Sequence, residues 1–194
     1  MADTPFDSEP IAPGLLLAMP QLGDPNFSHS VVLLIEHSSE RGSFGLIVNR
    51  PTDVRIADAM REIGEDWPEE SDAVLWNGGP VSPGPYEPAG LILHYPVLPD
   101  DDPDRAGIVL HPFPPPEETL PRLAGESIER LRVMIGYAGW GSRQLEAEIR
   151  HGAWLLAPAD PALIFGTPAE DMWQAAIRSL GIEPGALMTP EGLH

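Results

Sequence analysis

The residues whose pattern most resembles a chemical site lie in the stretch VMIGYAGWGSRQLEAEI, residues 133–149. An apolar run leads through several glycines into a helical pattern. A helix N-terminus presents unpaired N–H groups and the positive end of the helix dipole. Gly139, Gly141 and Ser142 are therefore candidate contacts for a phosphate or another anion.

Neither common nucleotide-binding signature is complete in this stretch. Gly136 and Gly141 match the two glycines of GxxxxGK[ST], but Ser142 follows where that motif has Lys. A GxGxxG motif starting at Gly139 would place its third glycine on a glutamine. We therefore predict a structural turn, in which at least one of these glycines has a positive φ and Trp140 fills the core. An anion site is the alternative.

A second group of polar residues is expected at one end of a hairpin. SVVLLIEH (30–37) and FGLIVNRP (44–51) are apolar runs around a short polar segment, which is typical of two antiparallel strands. Because the far ends of such strands meet, His29, Asn49 and Arg50 should lie together. They are candidate contacts for a ligand, and the alternative is that polar residues simply end strands at the surface.

Other common chemistries lack their residues. The chain has no Cys, and none of its six His belongs to an HxxxH or HExxH motif, which excludes thiolate chemistry and zincin sites. There is no GxSxG nucleophile motif. Asp100, Asp102 and Asp104 have the spacing of a calcium loop, but Arg105 occupies the position that requires Gly. The sequence therefore predicts no metal, no cofactor and no catalytic residue.

Composition limits the partners of this 194-residue chain. Its formal net charge is -19, and all 11 basic residues are Arg. A surface with this excess of carboxylates repels polyanions, so direct binding to nucleic acid is disfavoured. The apolar segment GLLLAM (14–19) is too short for a membrane span or a signal peptide. We therefore expect a cytoplasmic protein that binds neither nucleic acid nor membrane.

The elements that would position the candidate residues form an α+β pattern. Beside the hairpin, strands are predicted at 73–80, 89–94, 106–111, 129–140 and 153–159. Within the fourth of these, Arg130, Arg132 and Met134 alternate with aliphatic residues. Because strands and helices mix without a strict βαβ rhythm, we expect a mixed sheet. Residues 1–13 are acidic and contain Pro, so a disordered lead-in is expected there, followed by one domain over 14–194.

Helix starts are marked by residues that commonly cap helices. The predicted caps are Asp53, Ser142 and Thr167. The first helix runs to about Ile63, behind a strand that Pro51 ends. In the last helix, Pro168 takes the first helical position and Glu170 closes a capping box. Glycines are expected to end the second and third helices.

Several segments together resemble the YqgE/AlgH family of small bacterial proteins. They are GLLLAMPQLGDPNFSHSVVLLIEH (14–37), GLIVNRP (45–51), WNGGPV (76–81), LILH (91–94), GYAGWGSRQLEAEI (136–149) and AWLLAPADPALIF (153–165). The helix around Trp173 also fits, and the match runs in order over about residues 14–182. The resemblance implies a single-domain α+β protein with a mixed, bifurcated sheet, a small barrel-like portion and surrounding helices.

The resemblance implies no accepted activity, cofactor or catalytic residue, although some members are labelled as candidate transcriptional regulators. Members often carry an Arg-Gly pair before the strand that ends in His, where this chain has Pro88 and Ala89. We therefore predict a non-catalytic regulatory or interaction protein that acts through a protein partner.

Two alternatives stay open. The first is a binding protein or enzyme for an anionic small molecule, which would use one of the two candidate sites. The second, least favoured by the charge, is a DNA-binding repressor. A ligand site would form a concave pocket where polar residues converge, whereas a protein-binding role would leave an exposed apolar patch.

Overall fold

A computed structural model of the chain describes residues 11–67, 72–84, 87–96, 107–125 and 127–187. The described strands are β1 (Gly14–Ala18), β2 (Val31–Ser38), β3 (Gly42–Ile47), β4 (Pro51–Arg55), β5 (Val74–Asn77), β6 (Gly90–His94), β7 (Val109–Phe113), β8 (Leu131–Ile135), β9 (Ala138–Trp140) and β10 (Trp154–Pro158). The described helices are α1 (Ile56–Glu62), α2 (Leu120–Ala124), α3 (Gln144–Arg150), α4 (Pro161–Gly166), α5 (Ala169–Ser179) and α6 (Pro184–Leu187). Most of the predicted lead-in and the three aspartates of the acidic loop lie outside the described residues.

The strands form two five-stranded sheets. The first has the order β10-β1-β2-β3-β9, and each neighbouring pair is antiparallel. The second has the order β4-β5-β8-β6-β7, with β5 parallel to β8 and the other pairs antiparallel. The architecture confirms the predicted α+β class with a mixed sheet. Among the described strands, none closes a barrel.

Three clusters of buried apolar side chains pack the two sheets and the helices against each other. The central cluster joins the two sheets to α4 and α5 and contains Trp173. A second cluster packs the outer face of the second sheet against α1 and α2. The third packs the outer face of the first sheet against α3 and contains Trp140. Trp173 and Trp140 are 3% and 6% exposed, respectively, which confirms the predicted core position of Trp140.

The single strand predicted over 129–140 is wrong. The chain forms β8 in the second sheet, turns at Gly136 with a φ of 72°, and continues as β9 in the first sheet. This left-handed backbone conformation is strongly unfavourable for any residue that has a Cβ. The glycine therefore allows one apolar run to serve two sheets.

Alternation within β8 separates two apolar faces of the second sheet. Leu131 and Val133 belong to the cluster on its outer face, whereas Met134 belongs to the central cluster. Arg132 shares the face of Met134 because residues two apart on a strand point the same way. The side chain of Arg132 therefore points into the central core and not into solvent.

Arg132 is a buried cation that ties the two sheets and α4 together. Its side chain is 5% exposed, and it donates hydrogen bonds to the backbone carbonyls of Val48 and Ile164. The guanidinium carbon lies 4.0 Å from the ring centroid of Trp76, a cation–π contact. Burial lowers the pKa of Arg132 to about 10, so the group is still charged at neutral pH.

The helix start predicted at Asp53 is wrong. Pro51 opens β4 instead of ending the preceding strand, and Asp53 lies within β4. β4 is an edge strand, where the missing N–H of a proline is tolerated. α1 begins after Arg55 without a side-chain cap, and the N–H of Ile56 donates instead to the carbonyl of Ala73 at 2.8 Å.

The start predicted for the last long helix is displaced because another helix precedes it. α4, which was not predicted, begins after Asp160, whose carboxylate accepts a hydrogen bond from the N–H of Ala162. Thr167 ends α4 in an extended conformation, and Pro168 precedes α5 instead of opening it. No side-chain capping bond is formed at this start, so the capping box with Glu170 is absent there.

Candidate functional site

The glycine-containing stretch before α3 is attached to the tip of the β2–β3 hairpin. The N–H of Gly141 donates to Oε1 of Gln144 at 3.0 Å. The hydroxyl of Ser142 and the N–H of Arg143 both donate to the carbonyl of Ser39, at 3.0 and 3.1 Å. Ser142 therefore does not cap α3, and Arg143 precedes the helix with a φ of 59°. These donors are engaged by the protein itself.

Glycines in this region permit close contact between backbones. A Cβ built on Gly79 would lie 2.2 Å from the backbone carbon of Tyr137, and one on Gly136 would lie 2.6 Å from the carbonyl oxygen of Gly79. The positive φ of Gly136 confirms the prediction for one glycine of the stretch. An anion contact at Gly139, Gly141 or Ser142 stays a prediction. It is not favoured, because the donors of this stretch already form hydrogen bonds within the protein.

The predicted cluster of His29, Asn49 and Arg50 is brought together. Oδ1 of Asn49 accepts from the N–H of Val31 at 2.9 Å, and its Nδ2 donates to the carbonyl of His29 at 3.0 Å. The guanidinium of Arg50 donates to the carbonyl of Ser28 at 2.6 Å. The two side chains therefore hold the turn before β2, and contact with a ligand at this cluster stays a prediction.

A group of three polar side chains that sequence patterns did not reveal joins the hairpin to α3. Oγ of Ser43 lies 2.8 Å from Nδ1 of His37, and Nε2 of His37 lies 3.7 Å from Oε1 of Glu146. The side chains of His37 and Glu146 are 14% and 10% exposed. We refer to these three residues as the relay.

Glu146 is the anionic member of the relay. Burial raises the pKa of its carboxyl, but hydrogen bonds from the Ser39 hydroxyl and from its own backbone N–H lower it. The charges of His37 and Arg150 lower it further, so the resulting pKa lies below the ordinary 4.5. The carboxylate is therefore ionised at neutral pH, beside a histidine that can donate to it.

Serine, histidine and a carboxylate in line suggest nucleophilic catalysis, but the surroundings do not support it. Acyl transfer needs hydrogen-bond donors for the oxyanion. Ser43 lies on β3 between two paired strands, opposite His37 on one side and Trp140 on the other. Its backbone N–H thus belongs to a ladder. Among the described residues, the relay shows no pair of free N–H groups beside its serine.

On the side of β1, the β2–β3 hairpin extends beyond its neighbouring strand and borders a cavity. β1 pairs with β2 only as far as Gly14 opposite Leu34, so the last four residues of β2 project past it. The cavity has a volume of about 550 Å³ and is lined by Ala12, Ile35, Glu36, His37, Ser38, Arg41, Gly42, Ser43 and Phe44. We call it the hairpin cavity. Its volume is within the usual range for small-molecule sites.

Strand pairing assigns the lining residues to two faces of the hairpin. His37 is opposite Ser43, and both side chains face α3 through the relay. Glu36 is opposite Phe44, so these two side chains share the other face. The relay is therefore part of the wall between the hairpin cavity and α3.

Arg41 is the arginine that lines the hairpin cavity. It lies in the turn between β2 and β3, where its N–H donates to Oγ of Ser38 at 3.2 Å. Its side chain is exposed, and no ion pair between described residues includes it. The guanidinium is thus available to an anion that enters the cavity.

Exposed apolar residues do not form one patch on the described surface. The large ones are Val54, Ile63, Val109 and Leu110. Val54 is on β4 and Val109 is on β7, and these strands are opposite edges of the second sheet.

Within the described ranges, no group of three potential metal ligands occurs, and no helix is long and apolar enough to cross a membrane.

Comparison with known proteins places the chain among relatives of similar length. A sequence model of the AlgH-like family matches residues 15–185. A "UPF0301 protein" of Myxococcus xanthus is 39% identical over 189 residues, which cover 95% of this chain and 98% of that protein. Another from Alcanivorax borkumensis is 36% identical over 197 residues, covering 96% and 98%. The names of these relatives state no activity.

Two solved structures share the fold. The solution structure of the AlgH protein from Pseudomonas aeruginosa matches with a TM-score of 0.70 and 31% identity, covering 100% of both chains. The crystal structure of a protein from Corynebacterium diphtheriae matches with a TM-score of 0.68 and 26% identity, covering 98% of this chain and 95% of that one. The two-sheet architecture is therefore similar in structures determined by experiment.

Proposed function

This chain belongs to the AlgH-like family, and on that premise we propose that it is a non-catalytic binding protein for a small molecule with an anionic group. The observation that carries the proposal is the hairpin cavity, whose lining combines the exposed Arg41 with hydroxyl, imidazole and carboxylate residues from the two faces of the hairpin. A concave pocket lined by several polar residues is typical of a small-molecule site.

The charges beside the cavity restrict the ligand. A guanidinium offers a planar fork of N–H donors that matches a carboxylate or a phosphate. Glu36 also lines the cavity and forms no ion pair with Arg41. Its carboxylate can accept a hydrogen bond from a hydroxyl or an amine. The site therefore favours a ligand that combines an anionic group with a nearby donor, such as a 2-hydroxy acid.

The relay would stabilise the hairpin that carries the site. Ser43 and His37 cross-link β2 and β3, and Glu146 anchors them to α3. A second attachment is made by Ser142 and Arg143, which donate to the carbonyl of Ser39 in the turn. A hairpin held at both places keeps Arg41 near the cavity, which lowers the entropy lost when a ligand binds.

The structure favours this proposal over the two other interpretations of the sequence. A protein-docking role would call for a contiguous exposed apolar patch, whereas two of the large exposed apolar residues of the described surface, Val54 and Val109, lie at opposite edges of the second sheet. A DNA-binding role would call for a basic surface, whereas the net charge is -19.

Thermal unfolding in the presence of anions tests the proposal. A ligand that binds only the folded state raises its stability by about 2.7 kcal/mol at a hundredfold excess over its Kd. We expect lactate to raise the melting temperature more than propanoate, which lacks the hydroxyl, and we expect Arg41→Gln to remove the effect of both. Sodium chloride at matched ionic strength corrects for general screening of the acidic surface.

Arg178→Gln is the matched control, because Arg178 is exposed on α5, does not line the hairpin cavity, and donates a hydrogen bond to the side chain of Gln174 in its own helix. This variant should keep the full response to lactate. A response that is equal in the Arg41 and Arg178 variants would contradict the proposal. So would the absence of any response in the wild type across a panel of hydroxy acids, amino acids and phosphate esters.

A further inference from the structure

A second cavity shares one lining residue, Phe44, with the hairpin cavity. It has a volume of about 280 Å³ and is lined by Phe44, Pro83, Glu87, Pro88, Gly90, Leu91, Gly136 and Tyr137. We call it the Phe44 cleft. Most of its lining is apolar, in contrast to the charged and hydroxyl groups of the hairpin cavity.

Residues of both sheets build the Phe44 cleft. Phe44 belongs to β3 of the first sheet, and Leu91 belongs to β6 of the second. The ring of Tyr137 lies 5.2 Å from that of Phe44, between centroids, at the point where the chain crosses from one sheet to the other. Gly90 and Gly136 add no side chain to the space. The cleft is thus an opening at the edge of the central core.

Phe44 is the shared wall of the two cavities. The pairing of β2 with β3 places its ring on the same face as Glu36, away from the relay. A ligand in the hairpin cavity therefore has an apolar surface next to it on this face. The polar cavity and the apolar cleft are neighbours.

We propose that the ligand is amphipathic, with its anionic group at Arg41 and an apolar body that passes Phe44 into the Phe44 cleft. This inference rests on the proposed function and specifies the ligand class. The cleft is slightly smaller than typical pockets for whole ligands, which begin at about 300 Å³. It therefore suits one aromatic ring or one short branched chain.

Charge determines the direction in which the ligand lies. Glu87 lines the Phe44 cleft, and its carboxylate accepts a hydrogen bond from the N–H of Gly84 at 2.9 Å, which holds the acid at the cleft. An anionic group would be repelled there, whereas in the hairpin cavity the guanidinium of Arg41 offsets the carboxylate of Glu36.

Calorimetric titration with three matched kinds of probe tests this arrangement. Lactate carries the polar group alone, 2-hydroxy acids with a phenyl group on a short, medium or long methylene linker carry both parts, and the corresponding phenylalkane diols lack the charge. We expect the best phenyl hydroxy acid to bind at least about tenfold more tightly than lactate, because its ring leaves water. The diols should bind at least about tenfold more weakly than that acid.

Substitutions in the Phe44 cleft test whether the apolar part of the ligand binds there. Leu91→Gln should reduce the advantage of the phenyl acid while leaving the Kd of lactate unchanged, because Leu91 lines the Phe44 cleft and not the hairpin cavity. Val109→Gln is the control, since Val109 is an exposed aliphatic residue on β7 that lines neither cavity. In the wild type, nuclear Overhauser contacts from the phenyl ring to the Leu91 methyl groups should appear, and this measurement needs no variant.

The outcomes separate the two proposals. If lactate binds in an Arg41-dependent way but the phenyl acids gain nothing, the amphipathic ligand is refuted and the proposed function stands. If the diols bind as tightly as the acids, the anionic group adds nothing to binding, and the amphipathic ligand is again refuted. If no probe binds in an Arg41-dependent way, both proposals fail.

Discussion

Gly136 and Gly181 have nearly equal φ angles of 72° and 74°, but their surroundings differ. A Cβ on Gly136 would lie 2.6 Å from the carbonyl oxygen of Gly79, whereas a Cβ on Gly181 would have nothing within 4 Å. Gly181→Ala should therefore cost only the strain of the left-handed conformation, about 1–2 kcal/mol. Gly136→Ala should cost about 1–3 kcal/mol more, because the backbones must separate.

Urea unfolding of both variants measures this difference in free energy. Equal losses would show that the chain relaxes at the crossing between the sheets. They would also contradict the view that the glycines of GYAGWG serve a close backbone contact. The comparison is matched because both substitutions add the same methyl group at the same φ.

Glu146 should make stability depend on pH in the acid range. Its folded-state pKa lies below the ordinary 4.5, so ionisation of this group stabilises the folded state above that pH. The contribution is lost as the pH falls through the lower, folded-state pKa. Glu146→Gln should therefore lower the unfolding free energy at pH 7, and its difference from the wild type should shrink in acid.

Unfolding free energies of both proteins, measured at several pH values, check this prediction. Glu40→Gln is the control, because Glu40 is exposed in the turn of the same hairpin. A Glu146→Gln difference that stays constant from neutral to acid pH would show that the carboxylate charge does not stabilise the relay.

At the residue scale, strand pairing recovers only part of the site. The predicted strands 30–37 and 44–51 would place His37 opposite Phe44, whereas both strands extend into the predicted loop and His37 lies opposite Ser43. The same reasoning correctly brought His29 and Asn49 together. Glu146 could not be found in this way, because it reaches His37 through the packing of α3 on the first sheet, about a hundred residues away along the chain.

At the scale of elements, Arg132 connects three parts of the fold through one side chain. Its hydrogen bonds to Val48 and Ile164 join β8 to the end of β3 and to α4. Hydrogen bonds to charged groups contribute roughly 1.5–3 kcal/mol each. Arg132→Met keeps an apolar stem but leaves both carbonyls without this donor, so we expect a loss of about 3 kcal/mol or more.

Denaturant unfolding of Arg132→Met and Arg132→Lys checks this expectation. Lysine keeps the charge but lacks the planar fork that reaches two acceptors, so it should not restore full stability. A methionine variant as stable as the wild type would contradict the prediction. It would mean that the cost of burying the cation cancels its hydrogen bonds and its contact with Trp76.

Element boundaries were harder to predict than the elements themselves. The strands over 73–80, 89–94 and 153–159 are confirmed with small shifts, since each is a short apolar run bounded by turn residues. The start of α5 was misplaced because Thr167 and Pro168 resemble a helix start in isolation. Asp160 followed by Pro161 carries the same signal one helix earlier, and there the structure forms the cap.

At the scale of the whole molecule, charge makes a prediction that does not depend on the site. With a net charge of -19 and no Lys, the protein should show no measurable binding to random duplex DNA at physiological salt. Fluorescence anisotropy with a labelled duplex measures this. A micromolar complex that weakens steeply as salt is added would contradict the prediction, since that slope counts neutralised phosphates.

The division into two sheets is the feature of the whole molecule that sequence patterns could not supply. Period-two alternation detects a strand but does not say which sheet it joins. Here the assignment depends on Gly136, where the chain leaves the second sheet, and on Gly79, against which it packs. The Phe44 cleft arises from the same crossing, so neither it nor its position beside the hairpin cavity could be inferred from the sequence.

The central claim is that the hairpin cavity is the ligand site, and mapping backbone amide shifts by two-dimensional ¹⁵N–¹H NMR tests it most directly. On titration with lactate and then with the best phenyl hydroxy acid, we predict saturable shifts that are largest over residues 36–44. With the phenyl acid they should extend to Leu91 and Tyr137. Saturable shifts centred instead on residues 28–31 and Asn49, or on residues 139–144, would contradict the claim.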